Sequence, residues 1–195
     1  MRTSLHLAPA LCLAFTLPAC GGDKAELAQP DDFGTVADFV LVDQNGNNFS
    51  SEQLAGKVWV IDFFFTRCPS VCPRMTAEMK DLLARSPQRE DLHFVSMTID
   101  ETFDTPEVLR DYIATKQLDT ARWTFLTGDG AEVRALSRDS FYLALGDEMR
   151  PDGDIIHSTK FVVVDRDGTI RAYFSSLDED DGPRIDTLIR SLLEE

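Results

Sequence analysis

The sequence predicts an α/β domain: a central, mostly parallel sheet with flanking helices and added β-hairpins. Three observations predict it. Val58 to Phe65, V-W-V-I-D-F-F-F, is an apolar run rich in β-branched and aromatic residues and too short for a buried helix. His93 to Ile99 has the same character, and between the two Met75, Met79, Leu82 and Leu83 fall on one helical face. A second helix then opens at Thr105-Pro106-Glu107, with Thr105 as N-cap and Pro106 at the first position. Strands alternating with helices give a parallel sheet covered on both faces.

Taken in order, the folded domain begins near Val36 and occupies 36–195. Phe39 to Val42 and Phe49 flank Gln44-Asn45-Gly46-Asn47, a hairpin-type turn. Ser51 to Leu54 reads as one helical turn stopped by Gly56. The run from Val58 is the central strand, and the helix after it ends near Arg85 or Pro87. His93 to Ile99 is the second parallel strand. Val108, Leu109, Tyr112 and Ile113 give the next helix its buried face. Trp123 to Leu126 is a strand, Gly130 to Ser137 a short helix, and Phe141 to Leu145 an extended segment. Gly146 to Ile155 is polar and turn-rich, hence a loop. Phe161 to Val164 and Thr169 to Phe174 flank Asp165-Arg166-Asp167-Gly168, a second hairpin. The last helix covers about Pro183 to Leu193. A hairpin, then βαβαβα, then a hairpin and a helix is the layout of a thioredoxin-like fold. No internal repeat and no second domain is legible.

The chain has 195 residues, enough for one domain with a substantial core. Its formal net charge of -15 excludes a nucleic-acid surface. That charge fits solubility and weak steering of cations or basic partners. The N-terminus reads as a targeting segment: Arg2 supplies positive charge, and Leu7 to Leu17 is apolar but too short to span a membrane. Leu17-Pro18-Ala19-Cys20 resembles the lipobox of bacterial lipoproteins, with Pro18 the unusual residue; an ordinary secretory signal is the alternative. On the lipoprotein reading 1–19 is removed with Cys12, and Cys20 is the lipidated first residue that holds the domain to a bacterial membrane, facing the periplasm or the cell exterior. Residues 20–35 are a polar, acidic linker. About fifteen such residues reach at most roughly 50 Å, so a tethered domain meets partners embedded in the same membrane.

Cys68 and Cys72 then remain as the thiols of the exported domain. They sit where the central strand gives way to a helix N-terminus, whose partial positive charge and free N–H groups favour a thiolate. If the segment is near helical, a spacing of four puts both sulfurs on one face. The pair can close a disulfide or hold one soft metal ion. A purely structural disulfide is the blander alternative, but so short a loop constrains the unfolded chain little. Asp178-Glu179-Asp180-Asp181 is an acidic cluster that a hard cation could use, though a solvated loop explains it as well. Met75 and Met79 read as core, and His93 as structural or exposed.

His157 lies in Asp154-Ile155-Ile156-His157-Ser158-Thr159, just before a strand. Cys68-Pro69-Ser70-Val71-Cys72-Pro73, then Asp100 and Asp104-Thr105-Pro106-Glu107, then His157-Ser158, resembles the Sco/SenC family of copper proteins over nearly the whole domain. The resemblance implies that Cys68, Cys72 and His157 are copper ligands, for Cu(I) or Cu(II), and that Cys68 and Cys72 form a redox-active disulfide. It implies a metallochaperone that helps assemble the dinuclear copper site of cytochrome c oxidase, with oxidase subunit II as target and a copper donor protein upstream. Thiolates prefer Cu(I), and imidazole accepts both oxidation states. This chain departs from the family pattern at Arg67, where histidine is frequent, at Ser70, where aspartate is common, at Glu101, where proline is frequent, and at Phe103, where arginine is.

The alternative expectation is an extracytoplasmic thiol-disulfide oxidoreductase that keeps the subunit II cysteines reduced. Against a general oxidoreductase stand the C-x-x-x-C spacing and Ile156-His157-Ser158, which fills the place of the thioredoxin cis-proline. A peroxiredoxin fits less well, because Phe65 stands three residues before Cys68 where threonine or serine is normal. Zinc fits poorly with two cysteines and one histidine.

Overall fold

The first hairpin forms as its turn residues require. β1 (Val40–Asp43) and β2 (Asn48–Ser50) pair antiparallel, and Gly46 takes the positive φ, +82°, that the turn demands. These and all coordinates below come from a computed structural model that describes residues 31–146 and 148–195. The expected signal segment, the anchor Cys20 and most of the expected linker lie outside the described residues. A 3-10 turn, Ser51–Leu54, follows the hairpin, capped by the Ser50 hydroxyl, which accepts from the Glu52 N–H. Then come β3 (Val58–Phe64), α1 (Cys72–Arg85), β4 (Leu92–Thr98), α2 (Pro106–Lys116), β5 (Trp123–Thr127), α3 (Gly130–Asp139), β6 (Lys160–Val164), β7 (Ile170–Ser175) and α4 (Asp181–Leu192). Thr105 caps α2 as expected, its hydroxyl accepting from Val108 N–H.

The strands form one seven-stranded sheet in the order β2-β1-β5-β4-β3-β6-β7. Its centre is parallel: β3 pairs with β4, and β4 with β5. The other pairings, β1 with β2, β1 with β5, β3 with β6 and β6 with β7, are antiparallel. The sheet thus has the expected parallel centre, and each hairpin adds antiparallel pairing at an edge. All of β3 is buried, as a strand covered on both faces must be.

Successive side chains of β3 point to opposite faces. Phe64 packs against Tyr112 of α2 and edge-on to Phe125. Tyr112 also shares a hydrogen bond of 2.8 Å with Thr76 of α1, and Arg85 of α1 pairs with Asp186 of α4. On the other face Phe63 and Trp59 meet Phe141 edge to face, at 5.5 and 6.1 Å. Such contacts add about 1 kcal/mol each to simple burial.

Two expectations are corrected. Phe141 to Leu145 is not a strand: Phe141 plugs the core, Tyr142 takes φ +51°, and Leu143 folds back to Ser137 through N–H and carbonyl bonds. In α2 only Leu109 of the expected face is fully buried, with Tyr112 and Ile113 packed at its border. The domain's contacts also reach back before Val36. Phe33 N–H donates to the Ile170 carbonyl, Thr35 bridges Thr169, and the Phe33 ring meets Tyr173.

Candidate metal centre

Strand β3 and the chain leaving it deliver the cysteines. The backbone N–H and hydroxyl of Thr66 both donate to the carboxylate of Asp104, which also accepts from Thr98 at 2.5 Å. Asp104 is fully buried, so these bonds fix the turn that precedes Cys68. Arg67 turns outward. Its guanidinium makes a two-bond pair with Asp100, at 2.6 and 3.1 Å, and lies 4.4 Å over the ring of Phe103. The departures at positions 67 and 103 thus belong to one unit, in which the cation on one side of Asp100 stacks on the aromatic that follows it. Asp100 is buried in this pair and serves the loop, as the sequence allowed for a turn residue.

Helix α1 has no side-chain cap. Its first N–H, that of Cys72, instead points to the Cys68 sulfur at 3.5 Å. The Cys68 thiol thereby occupies the place of a capping acceptor at the positive end of the helix. Burial opposes its ionisation, but its contacts with Ser70, Cys72 and His157 outweigh burial and bring its pKa down to about 7. Cys72 is the opposite case. Burial drives its thiol far above the ordinary value, and the nearby Cys68 and Asp62 push the same way.

His157 arrives from the other end of the chain. β6 runs antiparallel beside β3, so the segment that enters β6 lies at the edge where β3 ends. The His157 ring stands edge-on to Phe65, centroids 5.8 Å apart. Its Nδ1 lies 2.9 Å from the Ser158 carbonyl oxygen, an atom that can only accept. Nδ1 therefore carries the proton, and Nε2 presents a lone pair to the sulfurs. Nε2 is 3.2 Å from Cys72 Sγ and 3.8 Å from Cys68 Sγ. The three ligand atoms all lie within 4.8 Å of one another, and among the described residues this is the one such cluster of histidine, cysteine and acidic side chains.

The expected trio is thus brought together, and the other candidates are not. His93 is hydrogen-bonded to Thr124 at 2.8 Å, and burial lowers its pKa to about 4. Met75 and Met79 are fully buried core. Asp181 of the acidic cluster is tied to Ser175 N–H and to Arg184.

Two acids escaped the sequence reading. Asp62 is buried in β3, accepting from Ser96 at 2.6 Å, while Ser96 accepts from Trp123 Nε1. Burial raises its pKa to about 6. An aspartate inside V-W-V-I-D-F-F-F was the available signal. Asp154 holds Ser70 at 3.0 Å and Arg150 at 3.0 Å, with its other oxygen 3.9 Å from Cys68 Sγ. Nothing in its loop sequence marked it.

Comparisons with known proteins point to one family. The SCO1/SenC family model matches residues 27–193. A SCO1/SenC family lipoprotein from Bacillus anthracis is 32% identical, with a TM-score of 0.78, covering 86% of this chain and 99% of that one. BsSco, called a member of the Sco family of cytochrome c oxidase assembly proteins and the subject of work on a disulfide switch, is 30% identical, with a TM-score of 0.73, covering 84% and 96%. ScoI of Bradyrhizobium japonicum, solved with copper bound, is 25% identical, with a TM-score of 0.68, covering 82% and 99%.

Proposed function

This chain belongs to the SCO1/SenC family, and on that premise we propose that it is a copper metallochaperone that helps assemble the dinuclear copper site of a respiratory cytochrome c oxidase. Copper is its cargo, taken from a donor protein and passed to oxidase subunit II. The observation that carries the proposal is the cluster of Cys68 Sγ, Cys72 Sγ and His157 Nε2 within 4.8 Å. Two thiolates satisfy Cu(I), and the imidazole completes a set that also suits Cu(II). A set of three leaves copper open to an incoming ligand, as a protein that hands on its ion requires. The copper-bound relative and the oxidase-assembly relative support the same direction.

The lipidated Cys20 and the linker after it complete the proposal by holding the domain near a membrane-embedded oxidase. The lipoprotein relative supports this, and no helix among the described residues is long and apolar enough to cross a membrane.

One observation favours a second activity at the same site. The Cys68 sulfur accepts from the Cys72 N–H at the start of α1, which favours its thiolate, whereas Cys72 is the more deeply buried thiol and burial pushes its pKa up. A thiol-disulfide exchanger works with one nucleophilic and one resolving thiol. Reduction of the subunit II cysteines would use that asymmetry before copper transfer. Anaerobic titration of the reduced domain with Cu(I), against a competing chelator, tests the main proposal. Stoichiometric binding of one copper is expected; failure to compete at one equivalent rejects the chaperone and leaves the exchanger.

A further inference from the structure

The ligands come from two separate segments. Cys68 and Cys72 lie on the turn into α1, whereas His157 lies at the end of a loop that starts near Gly146. The backbone closes that loop on itself, through Gly146 N–H to the Ile156 carbonyl at 2.6 Å and Arg150 N–H to the Asp154 carbonyl at 2.7 Å. These bonds shape the loop but do not tie it to the cysteines. The tie is a side chain. The Ser70 hydroxyl, midway between the cysteines, donates to Asp154 Oδ2 at 3.0 Å, and Arg150 Nη2 donates to the same oxygen at 3.0 Å. Asp154 Oδ1 faces the Cys68 thiol at 3.9 Å.

We propose that Asp154 is a positioning residue whose hydrogen bond to Ser70 latches the His157 loop onto the cysteine turn and so sets how tightly the imidazole is held at the copper site. This inference rests on the metal-site reading above and adds a control point to it. Cys68 and Cys72 are held by β3, by Asp104 and by helix α1, so the two-thiolate half of the site stands without the latch. His157 depends on its loop. Opening the latch therefore removes the imidazole and leaves the thiolates, which lowers Cu(II) binding and spares Cu(I). Arg150 orients the carboxylate, so it is the second member of the device. The latch is half exposed, within reach of a docking partner that competes for Ser70 or Arg150.

The test uses the reduced, tethered-domain protein with Asp154→Ala, Ser70→Ala, the double variant, and Asp154→Asn, which keeps an acceptor oxygen for Ser70. Two readouts are taken. In copper-free protein, nuclear Overhauser contacts from the His157 ring to the Phe65 ring report whether the loop is closed. With copper, competition titrations report the Cu(I) and Cu(II) affinities, and the thiolate-to-Cu(II) absorption reports the ligand set. Asp154→Ala and Ser70→Ala are each expected to weaken the Phe65 contact and to lower Cu(II) affinity by about 3- to 10-fold, as loss of one hydrogen bond does. Cu(I) affinity stays within about twofold. The double variant is no worse than Asp154→Ala alone, since that change already removes the Ser70 bond, and Asp154→Asn restores most of the loss. Unchanged ring contacts and Cu(II) affinity in Asp154→Ala overturn the latch, while intact copper binding in the same protein leaves the chaperone proposal standing. Equal losses for Cu(I) and Cu(II) also overturn it, because they mark a general disturbance of the fold. If the wild type binds no copper, the metal reading fails, and the copper-free ring contacts still decide the latch.

Discussion

His157 meets Cys72 across 85 positions of the sequence, with Nε2 3.2 Å from the sulfur, and its direction is fixed by the Ser158 carbonyl at Nδ1. The imidazole is thereby presented in one tautomer. Its nearer thiol is also the more deeply buried of the two, Cys72 at 1% exposure against 6% for the acidified Cys68. Ligand geometry and thiol reactivity are therefore set by the same few contacts.

The difference between the thiols predicts selective chemistry. Cys68 has a pKa near 7 and Cys72 one pushed well up by burial. Iodoacetamide should label Cys68 first, with a rate that rises through about pH 7, and should leave Cys72 unmodified until strongly alkaline pH. Peptide mass mapping of partly alkylated protein reads this. Equal labelling of both thiols at pH 7 contradicts the assignment.

The turn before Cys68 depends on Asp104. Asp104→Ala leaves the Thr66 N–H and the Thr66 and Thr98 hydroxyls without their acceptor in a buried place. The loss should be about 3 kcal/mol of unfolding free energy, measured as a lowered urea midpoint with unchanged slope. Copper affinity should fall in parallel, since the cysteine turn loses its anchor. A variant as stable as the wild type would show that the turn is held elsewhere.

Asp62 gives a pH-dependent effect of opposite sign. Its folded pKa, about 6, is raised above the ordinary value of about 3.9, mainly by burial. Below about pH 4 the carboxyl is protonated in both folded and unfolded chains, and burial costs nothing by this route. As pH rises toward 6 the unfolded chain ionises first, so the folded state loses stability, by up to about 3 kcal/mol once both forms are ionised. Asp62→Asn keeps an acceptor for Ser96 and removes that loss. It should therefore stabilise the protein at pH 7 and converge with the wild type below about pH 4. Urea denaturation at the two pH values decides it, and a variant less stable at pH 7 refutes the burial argument.

The sequence carried the central strand, both hairpins and the alternation of strands and helices because each has a local cause. β3 is uninterrupted apolar chain, Gly46 and Gly168 mark turns that need positive φ, and Thr105-Pro106 is a capping pair. The cysteine pair was legible from its place where a strand gives way to a helix, whereas His157 joined it only through the resemblance of its segment to the Sco/SenC pattern. What escaped is set by tertiary placement. Phe141 was read as opening an extended segment, yet it plugs the core and the chain turns at Tyr142. Asp154 is one acid among many in an acidic chain, and only folding carries it to Ser70.

The proposed anchor has a simple consequence. Cys20→Ser removes the acceptor for the lipid, so the protein should appear in the soluble extracytoplasmic fraction or stay unprocessed. Fractionation and the mass of the mature N-terminus report both. A wild-type protein that is soluble and begins at another residue excludes lipidation at Cys20.

The trio itself is tested by separating the two copper states. A site of two thiolates and one imidazole needs all three side chains to complete a Cu(II) plane, whereas Cu(I) is satisfied by two soft ligands. Cys68→Ser and Cys72→Ser should each damage binding of both states. His157→Ala should weaken Cu(II) binding most, by about 100-fold or more if the imidazole is a direct ligand, and should leave Cu(I) within about tenfold. The thiolate-to-copper absorption of the Cu(II) form should be lost or shifted. Circular dichroism serves as the folding control, because His157 is only partly buried and its removal leaves no core cavity. The Cys68–Cys72 disulfide should still form in air-oxidised copper-free His157→Ala, since exchange takes place at sulfur alone. A His157→Ala protein that binds Cu(II) like the wild type, with the same absorption, refutes imidazole ligation. In that case the closeness of Nε2 to Cys72 belongs to the thiol chemistry, and the exchanger becomes the better account of the site.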